Sequence, residues 1–157
     1  MGDALAISLL EKRGFTASDF ARFHPGGVLG KQMFLRVSDL IVNNEVPEVD
    51  LDETMEKVII EISSKRLGAT AVLHEDELKG LITDGDLRRM IQKNSDYVKL
   101  TAKDAMTANP LTIDQNEMAV EALNLMQDNN ITQLPVLNDG KYVGVLHLHD
   151  IIKEGIF

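Results

Sequence analysis

Apolar positions recur along this chain with two spacings, one typical of helices and one typical of strands. Met55, Val58 and Ile62 lie three or four residues apart, so this segment predicts an amphipathic helix. Two short apolar runs follow, at residues 69–73 and 80–83, and a polar turn joins them. These runs predict the two strands of a hairpin, after which a second helix begins.

The same order of elements occurs twice in the sequence. Residues 67–86 and 131–150 align without a gap at an offset of 64 residues, and Asp86 then pairs with Asp150. The second hairpin has an Asn-Asp-Gly turn, which is a strong hairpin signal. Each unit is therefore expected to be a helix, a hairpin and a helix.

The repeat also predicts how the two units assemble. One unit is too small to bury both faces of its own sheet, so the units are expected to pack against each other about a pseudo-twofold axis. We therefore predict an α/β fold of the α+β type, built as a tandem pair. Such a pair leaves two equivalent clefts between its units, and these clefts are the first place to expect a ligand.

Residues 1–36 lie outside the repeat. They predict a helix over residues 3–13 that ends at Gly14, and the proline and three glycines of residues 24–30 are expected to break any helix. A segment of this length cannot build a core by itself and is typical of the end of a larger domain. The predicted division of the chain is residues 1–36, 37–98 and 99–157.

Charge and composition exclude several classes of function. The chain has 16 Lys and Arg against 25 Asp and Glu, a formal net charge of −9, which argues against a nucleic-acid partner. No apolar run is long enough to cross a membrane, and no basic region precedes an apolar stretch as in a signal peptide. Zero cysteines exclude disulfides and thiolate metal sites. We therefore expect a cytoplasmic protein without a membrane partner.

The clearest candidate for ligand chemistry is the junction between the second strand and the second helix of the first unit. Thr83 and Asp86 place a hydroxyl and a carboxylate three residues apart where this helix begins. A carboxylate there can accept hydrogen bonds from both hydroxyls of a ribose, and the free N–H groups of a helix N-terminus favour an anion. The alternative is a plain capping box, in which the two side chains only close the helix end.

The second unit departs from this pattern, because His147 replaces Thr83 while Asp150 keeps the carboxylate. His147 and His149 lie two residues apart on a strand and point the same way, which raises the alternative of a metal site. No third ligand is evident nearby in the sequence, so we expect no metal. A ligand-facing or a structural imidazole is the better interpretation.

Two further candidates rest on local sequence. His24 lies in a Pro-Gly-Gly loop where backbone can approach a ligand closely, and an imidazole that titrates near neutral pH suits acid–base catalysis. The alternative for His24 is a tight turn with an exposed histidine. Arg88 and Arg89 are placed either to contact a phosphate or to form a solvated helix face.

Residues 37–157 resemble a tandem pair of cystathionine-β-synthase (CBS) domains, also called a Bateman module. Residues 80–86 and 144–150 carry the resemblance, with residues 134–136 as the strand signature. In this family the Thr and Asp at such positions hold the ribose of a nucleotide, so the resemblance implies that role for Thr83 and Asp86. The other ligand-binding positions that it implies are Ala71, Val72, Pro135, Val136, His147 and Asp150.

Residues 2–36 resemble the C-terminal end of a sugar isomerase (SIS) domain, in particular that of D-arabinose-5-phosphate isomerases. Residues 2–6, 13–15, 19–21 and 24–27 carry this match. Those enzymes interconvert ribulose 5-phosphate and arabinose 5-phosphate on the way to Kdo, the acidic sugar of lipopolysaccharide. The resemblance implies a catalytic role for His24. Because the family's other catalytic residues lie upstream of the match, we expect residues 1–157 alone to be inactive.

Together the resemblances imply a regulatory CBS pair of an arabinose-5-phosphate isomerase, with its own SIS domain as a partner and no required cofactor. Two effectors compete for the cleft: the cytidine-activated sugar acid CMP-Kdo, as a feedback product, and an adenine nucleotide, as is general for CBS pairs. A third hypothesis is that the pair binds nothing and only assembles a homo-oligomer. The sequence leaves these three open.

Overall fold

The structure is a computed structural model that describes residues 26–93 and 96–156, together with Gly14, Thr16 and Asp19. The helix predicted over residues 3–13 and the candidate His24 lie outside the described residues. No helix in the described part of the chain is long and apolar enough to cross a membrane.

Helices and strands alternate along the chain in two similar series. The first series is α1 (Val28–Phe34), α2 (Val37–Ile41), β1 (Glu48–Asp50), α3 (Met55–Lys65), β2 (Ala69–His74), β3 (Glu77–Thr83) and α4 (Asp84–Lys93). After a 3₁₀ turn at Tyr97–Lys99, the second series is α5 (Ala102–Ala105), β4 (Thr107–Ala108), β5 (Ile113–Asp114), α6 (Ala119–Asn129), β6 (Gln133–Asn138), β7 (Lys141–His147) and α7 (Leu148–Lys153). The helices and hairpins predicted from the repeat are confirmed.

Each unit contains one small mixed sheet. The strand order is β1-β2-β3-β4 in the first sheet, where β4 of the second series joins the edge of β3, and β5-β6-β7 in the second sheet. In both sheets the first pair is parallel and the hairpin is antiparallel. The register shifts between Val72 and Leu73 in one hairpin and between Val136 and Leu137 in the other. These positions are equivalent at the offset of 64, so the two units share even this irregularity. The predicted tandem α/β pair is confirmed.

Helix α2, near the start of the first series, packs on the second unit. Val37 of α2 is fully buried in the core of the second unit. Its backbone N–H donates to the carbonyl of Glu117 at 3.0 Å, and the N–H of Ala119 donates to the carbonyl of Leu35 at 2.8 Å. These bonds attach residues 35–37 to the segment that leads into α6.

Conversely, helix α5 of the second series packs on the first unit. Ala102 of α5 is fully buried in the core of the first unit. Its N–H donates to the carbonyl of Glu53 at 2.9 Å, and the N–H of Lys103 donates to the carbonyl of Leu51 at 3.0 Å. The molecule thus has two compact bodies, which we number after the hairpin that each contains: β2–β3 in the first body and β6–β7 in the second. Each body is assembled from two separate segments of chain, because α2 packs in the second body and α5 packs in the first.

A small apolar cluster joins the two bodies. Its buried members are Leu67, Ala69, Leu81 and Val145. Tyr142 packs against this cluster, and its hydroxyl donates a hydrogen bond of 2.8 Å to the carbonyl of Pro47. Burial raises the pKa of the Tyr142 hydroxyl well above its ordinary range, and the nearby carboxylate of Glu48 adds to this. The phenol therefore stays a neutral donor that connects the second hairpin to the start of β1.

Tyr142→Phe is expected to lower the free energy of unfolding by about 1 kcal/mol, because it removes one hydrogen bond while the ring still fills its place. The Pro47 carbonyl keeps a second donor, the N–H of Ala71 at 3.1 Å, so no orphan acceptor results. Urea unfolding checks the value. Tyr97→Phe is the matched control, since the Tyr97 hydroxyl makes no hydrogen bond within the described residues. Equal losses in the two variants would contradict the expectation.

The expectation that the glycines of residues 24–30 break any helix is wrong from Val28 onward. Gly27 has an extended backbone (φ −80°, ψ 164°) and forms the N-cap, and its carbonyl accepts the N–H of Lys31 at 2.9 Å. Gly30 lies inside α1 and is buried. A helical glycine costs about 1 kcal/mol relative to alanine, which packing against the rest of the molecule offsets here.

Candidate ligand-binding cleft

One cleft between the two bodies is open and forms a cavity of about 470 Å³. Leu81, Thr83, Asp86 and Arg89 of the first body form one side of this cavity. Residues 130–133 of the second body form the opposite side, and Thr107 and residues 109–111 complete it. The cavity therefore draws its walls from both bodies, so a ligand in it would contact both.

Thr83 and Asp86 meet where β3 runs into α4. Oδ2 of Asp86 accepts hydrogen bonds from the backbone N–H of Thr83 at 2.9 Å and from its hydroxyl at 2.7 Å, and the N–H of Asp86 donates to the Thr83 hydroxyl oxygen at 3.3 Å. These are the bonds of a capping box. The capping interpretation is thus confirmed, but both side chains also line the cavity, so capping does not exclude ligand binding.

The second carboxylate oxygen of Asp86 pairs with the guanidinium of Arg89, one helical turn further along α4. Asp86 is mostly buried, whereas the side chain of Arg89 is largely exposed at the mouth of the cavity. A carboxylate with spare lone pairs suits the two hydroxyls of a ribose, and a guanidinium beside it suits a phosphate. The side chains Leu81, Pro110, Leu111 and Ile131 add apolar walls that fit a flat ring.

The opposite wall contains two polar residues that the sequence reading missed, Thr132 and Gln133. The Thr132 hydroxyl donates to Oε1 of Gln133 at 2.8 Å, and both line the cavity. A signal for them was present in the repeat, because at the offset of 64 they stand opposite Gly68 and Ala69. A polar pair therefore lines this cleft where the first unit has two small residues, so the facing walls of the two units differ.

The equivalent carboxylate of the second unit has different partners. Oδ2 of Asp150 accepts the backbone N–H of His147 at 3.1 Å and the side-chain amide of Asn44 at 3.0 Å. His147 has no hydroxyl to offer, and its Nδ1 instead accepts the N–H of His149 at 3.0 Å, which caps α7. The two clefts are therefore not equivalent in the structure.

His147 and His149 lie side by side, with ring centroids 4.8 Å apart. Within residues 26–93 and 96–156, no group of three His, Cys, Asp or Glu side chains is arranged to hold a metal ion. Burial lowers the pKa of His147, and the neighbouring His149 lowers it further, while Asp150 acts in the opposite direction. His147 caps the start of α7 through its Nδ1, and its predicted contact with a ligand stays a prediction.

His147 makes a pH-dependent contribution to stability that can be measured. Its pKa is lower in the folded chain than the ordinary value of about 6.5, so the unfolded chain binds more protons just below that pH. Stability is therefore expected to fall as the pH drops below about 6.5, since protonation of Nδ1 removes the acceptor for His149. Urea unfolding of the wild type and His147→Thr at several pH values checks this. The variant should show a flatter dependence, and an unchanged slope would contradict it.

Four predicted ligand-binding positions on the strands β2 and β6 do not line the open cavity. Val72 and Val136 are fully buried in the first and the second core, respectively. Ala71 and Pro135 are buried beside them on the central strands. None of the four lines the cavity of about 470 Å³. Their proposed contact with a ligand, like the role of His24, stays a prediction.

The sequence matches the CBS domain family over residues 37–93 and 102–156. Arabinose 5-phosphate isomerase KdsD of Salmonella typhi is 44% identical over 158 residues, which cover 99% of this chain and 48% of that relative. The enzyme of the same name in Pseudomonas aeruginosa is 43% identical over 159 residues, or 99% of this chain and 49% of that relative. The chain thus spans about half the length of the curated relatives that it matches. The resemblance to CBS domains is confirmed, and the similarity to arabinose-5-phosphate isomerases extends over 99% of the chain. That residues 2–36 form the end of an SIS domain stays a prediction.

Solved structures of CBS-domain proteins have the same fold. A CBS domain crystal structure superposes with a TM-score of 0.71 at 24% identity, covering 76% of this chain and 96% of that one. A CBS domain protein from Pyrobaculum aerophilum complexed with AMP superposes with a TM-score of 0.66 at 21% identity, covering 74% of this chain and 89% of that one. At these identities the likeness concerns the fold alone.

Proposed function

The chain belongs to the CBS domain family, and we propose that it is a regulatory module that binds a nucleotide or nucleotide sugar in the cleft between its two bodies. The enzyme that it regulates is an arabinose-5-phosphate isomerase, as its similarity to the KdsD enzymes supports. Residues 1–157 alone do not isomerise the sugar phosphate. The module changes the activity of the catalytic domain to which it is joined in the parent protein.

The observation that carries this proposal is the position of Thr83 and Asp86. Both residues line an open cavity of about 470 Å³ that is walled by both bodies, and Asp86 is held in place by three hydrogen-bonding partners: the Thr83 backbone, the Thr83 hydroxyl and Arg89. A carboxylate fixed in this way is preorganised to receive ribose hydroxyls. The apolar walls and the guanidinium complete a site for a base, a ribose and a phosphate.

The geometry also supports a route from ligand to catalytic domain. Because a ligand in the cavity touches both bodies, it favours the relative orientation in which both walls contact it. The second body is fastened to α1, since Nζ of Lys31 donates to the carboxylate of Glu154 at 2.8 Å and to its backbone carbonyl at 3.0 Å. A change in the orientation of the bodies therefore reaches the N-terminal segment through α1. The effect on activity is limited by the difference in ligand affinity between the orientations.

Thermal unfolding with CMP, CMP-Kdo, AMP, ADP and ATP in turn tests the proposal. A ligand at about 100 times its dissociation constant adds roughly 2.7 kcal/mol to stability, or about 5–10 °C for a domain of this size. A shift with cytidine compounds alone supports feedback by the activated sugar acid. A shift with adenine nucleotides alone makes the module a sensor of cellular energy. No shift with any of the five would overturn nucleotide regulation.

Assembly of copies of the chain is a second candidate function, and a specific observation favours it. Ile60 on α3 and Ile91 on α4 are large apolar side chains that are about half exposed. Burial of such side chains between copies would stabilise an oligomer. Sedimentation of the wild type and of an Ile60→Lys, Ile91→Lys variant tests this, and a wild-type monomer at micromolar concentration would exclude it.

A further inference from the structure

We infer that the second cleft is not a ligand site but an internal anchor, in which Asn44 fastens the N-terminal segment to the second body. The pair then binds one ligand per chain, at Thr83 and Asp86 only. This inference rests on the proposed function for the first cleft, whereas the anchor itself depends only on contacts within the chain.

The side chain of Asn44 bonds to the carboxylate of Asp150, which is the group that a ligand in the second cleft would need. Its side-chain amide donates to Oδ2 of Asp150 at 3.0 Å and to the carbonyl of Val145 at 3.3 Å. Val145 precedes the junction between β7 and α7, and Asp150 follows it. The amide therefore bridges the strand and the helix of the second body, at the junction that is equivalent to that of Thr83 and Asp86 in the first body.

The repeat shows how the first cleft differs. The segments before the two units align at an offset of 65, with Asp39 opposite Asp104, and this places Asn44 opposite Asn109. Asn109 lines the open cavity instead of bonding to Asp86. In the first cleft the hydroxyl of Thr83 bonds to the carboxylate, and in the second cleft, where His147 lacks a hydroxyl, Asn44 supplies that hydrogen bond.

The walls of the two clefts differ in packing as well. In the second cleft Leu67, Ala69 and Val145 are 9%, 0% and 0% exposed, so little of this wall is open to a ligand. The counterparts of Leu67 and Ala69 are Ile131 and Gln133, which are only partly buried and line the open cavity. The counterpart of Val145 is Leu81, which also lines the cavity although it is only 7% exposed. The Gln133 amide also takes up space beside Gly68, since Nε2 lies 3.1 Å from the position of a Cβ there. The second cleft therefore presents less exposed wall at Leu67 and Ala69 than the first cleft presents at Ile131 and Gln133.

The hydrogen bond between Asn44 and Asp150 has a consequence for signalling. Residues 35–46 are attached to the second body by the backbone bonds of Leu35 and Val37 and by the Asn44 amide. With the ion pair of Lys31 and Glu154, this makes α1, α2 and the second body one mechanical unit. A ligand in the first cleft moves the first body against this unit, and the second cleft holds the unit together.

Isothermal titration of the purified chain with CMP and with AMP tests the stoichiometry. The matched variants are Asp86→Asn and Asp150→Asn, which change the equivalent aspartates of the two units in the same way. We expect one site per chain in the wild type, at least a tenfold loss of affinity in Asp86→Asn, and affinity within about twofold of wild type in Asp150→Asn. Two sites per chain, or a tenfold loss in Asp150→Asn, would overturn the inference.

Amide hydrogen exchange tests the anchor without any ligand. Asn44→Ala is expected to speed exchange at residues 35–44 by about tenfold, and exchange in α4 should stay unchanged. The control is Asn43→Ala, which changes the exposed neighbour of the same residue type. Equal exchange in the two variants would overturn the anchor. If the wild type binds no nucleotide, the proposed function fails, and this measurement alone decides whether Asn44 is an anchor.

Discussion

Asp86→Asn is expected to weaken nucleotide binding by roughly 30- to 1,000-fold, which corresponds to about 2–4 kcal/mol. Beyond its bonds to Thr83 and Arg89, the wild-type carboxylate keeps acceptor capacity on Oδ1 for a ribose hydroxyl, and hydrogen bonds to a charged acceptor are the strong kind. An amide offers one acceptor oxygen and presents a donor where the second acceptor was. Isothermal titration with the nucleotide that gives the largest thermal shift measures the loss.

Asp86 also closes the N-terminus of α4, so the experiment needs a control that removes capping alone. The chain provides one in Thr101 and Asp104, where Oδ2 of the aspartate accepts the backbone N–H at 2.9 Å and the hydroxyl at 3.0 Å. This pair caps α5 with the same local geometry but does not line the cavity. Asp104→Asn should therefore keep full affinity. A similar loss in both variants would mean that capping, and not contact with the ligand, accounts for the result.

Ile62→Ala is expected to lower the free energy of unfolding by about 2–5 kcal/mol, a large part of the total of about 5–15 kcal/mol for a domain of this kind. Ile62 is 3% exposed and lies in the first core with Met55, Val58 and Val72. Truncation removes buried apolar surface and leaves a cavity that the close-packed core cannot fully collapse. Urea unfolding followed by circular dichroism measures the loss.

The same helix supplies a matched control for this substitution. Ile60 lies two residues earlier on α3 and is 58% exposed. Ile60→Ala makes the same chemical change at a position where little apolar surface is buried, so its cost should be below about 0.5 kcal/mol. Comparable losses in the two variants would mean that α3 packs differently from the structure described here.

The longer helices and the hairpins could be predicted from the sequence, because each carries its own periodic signal. Apolar spacing marked α3 and α6, each of 11 residues, and alternating or continuous apolar runs marked the strands of both hairpins. The repeat at an offset of 64 then predicted two like bodies and the clefts between them. These features depend on residues that are close in sequence, so a local pattern is enough to reveal them.

The shortest elements could not be predicted in this way. Helices α2 and α5 have five and four residues, and β4 and β5 have two residues each, which is too short for any period to appear. They form because backbone groups of one piece of chain bond to the other, as Val37 does to Glu117 and Ala102 does to Glu53. The exchange of segments between the bodies is thus a property of the tertiary structure.

The difference between the two clefts shows most clearly which features depend on the local sequence and which depend on the tertiary structure. By itself the sequence determined that two aspartates, Asp86 and Asp150, stand at equivalent junctions and that His147 replaces one hydroxyl. Only the tertiary structure decided that Asn44 bonds to Asp150, across 106 positions of sequence, while the cleft at Asp86 stays open. The local sequence specifies which residue types a junction contains, whereas contacts with distant segments of the chain determine what those residues touch.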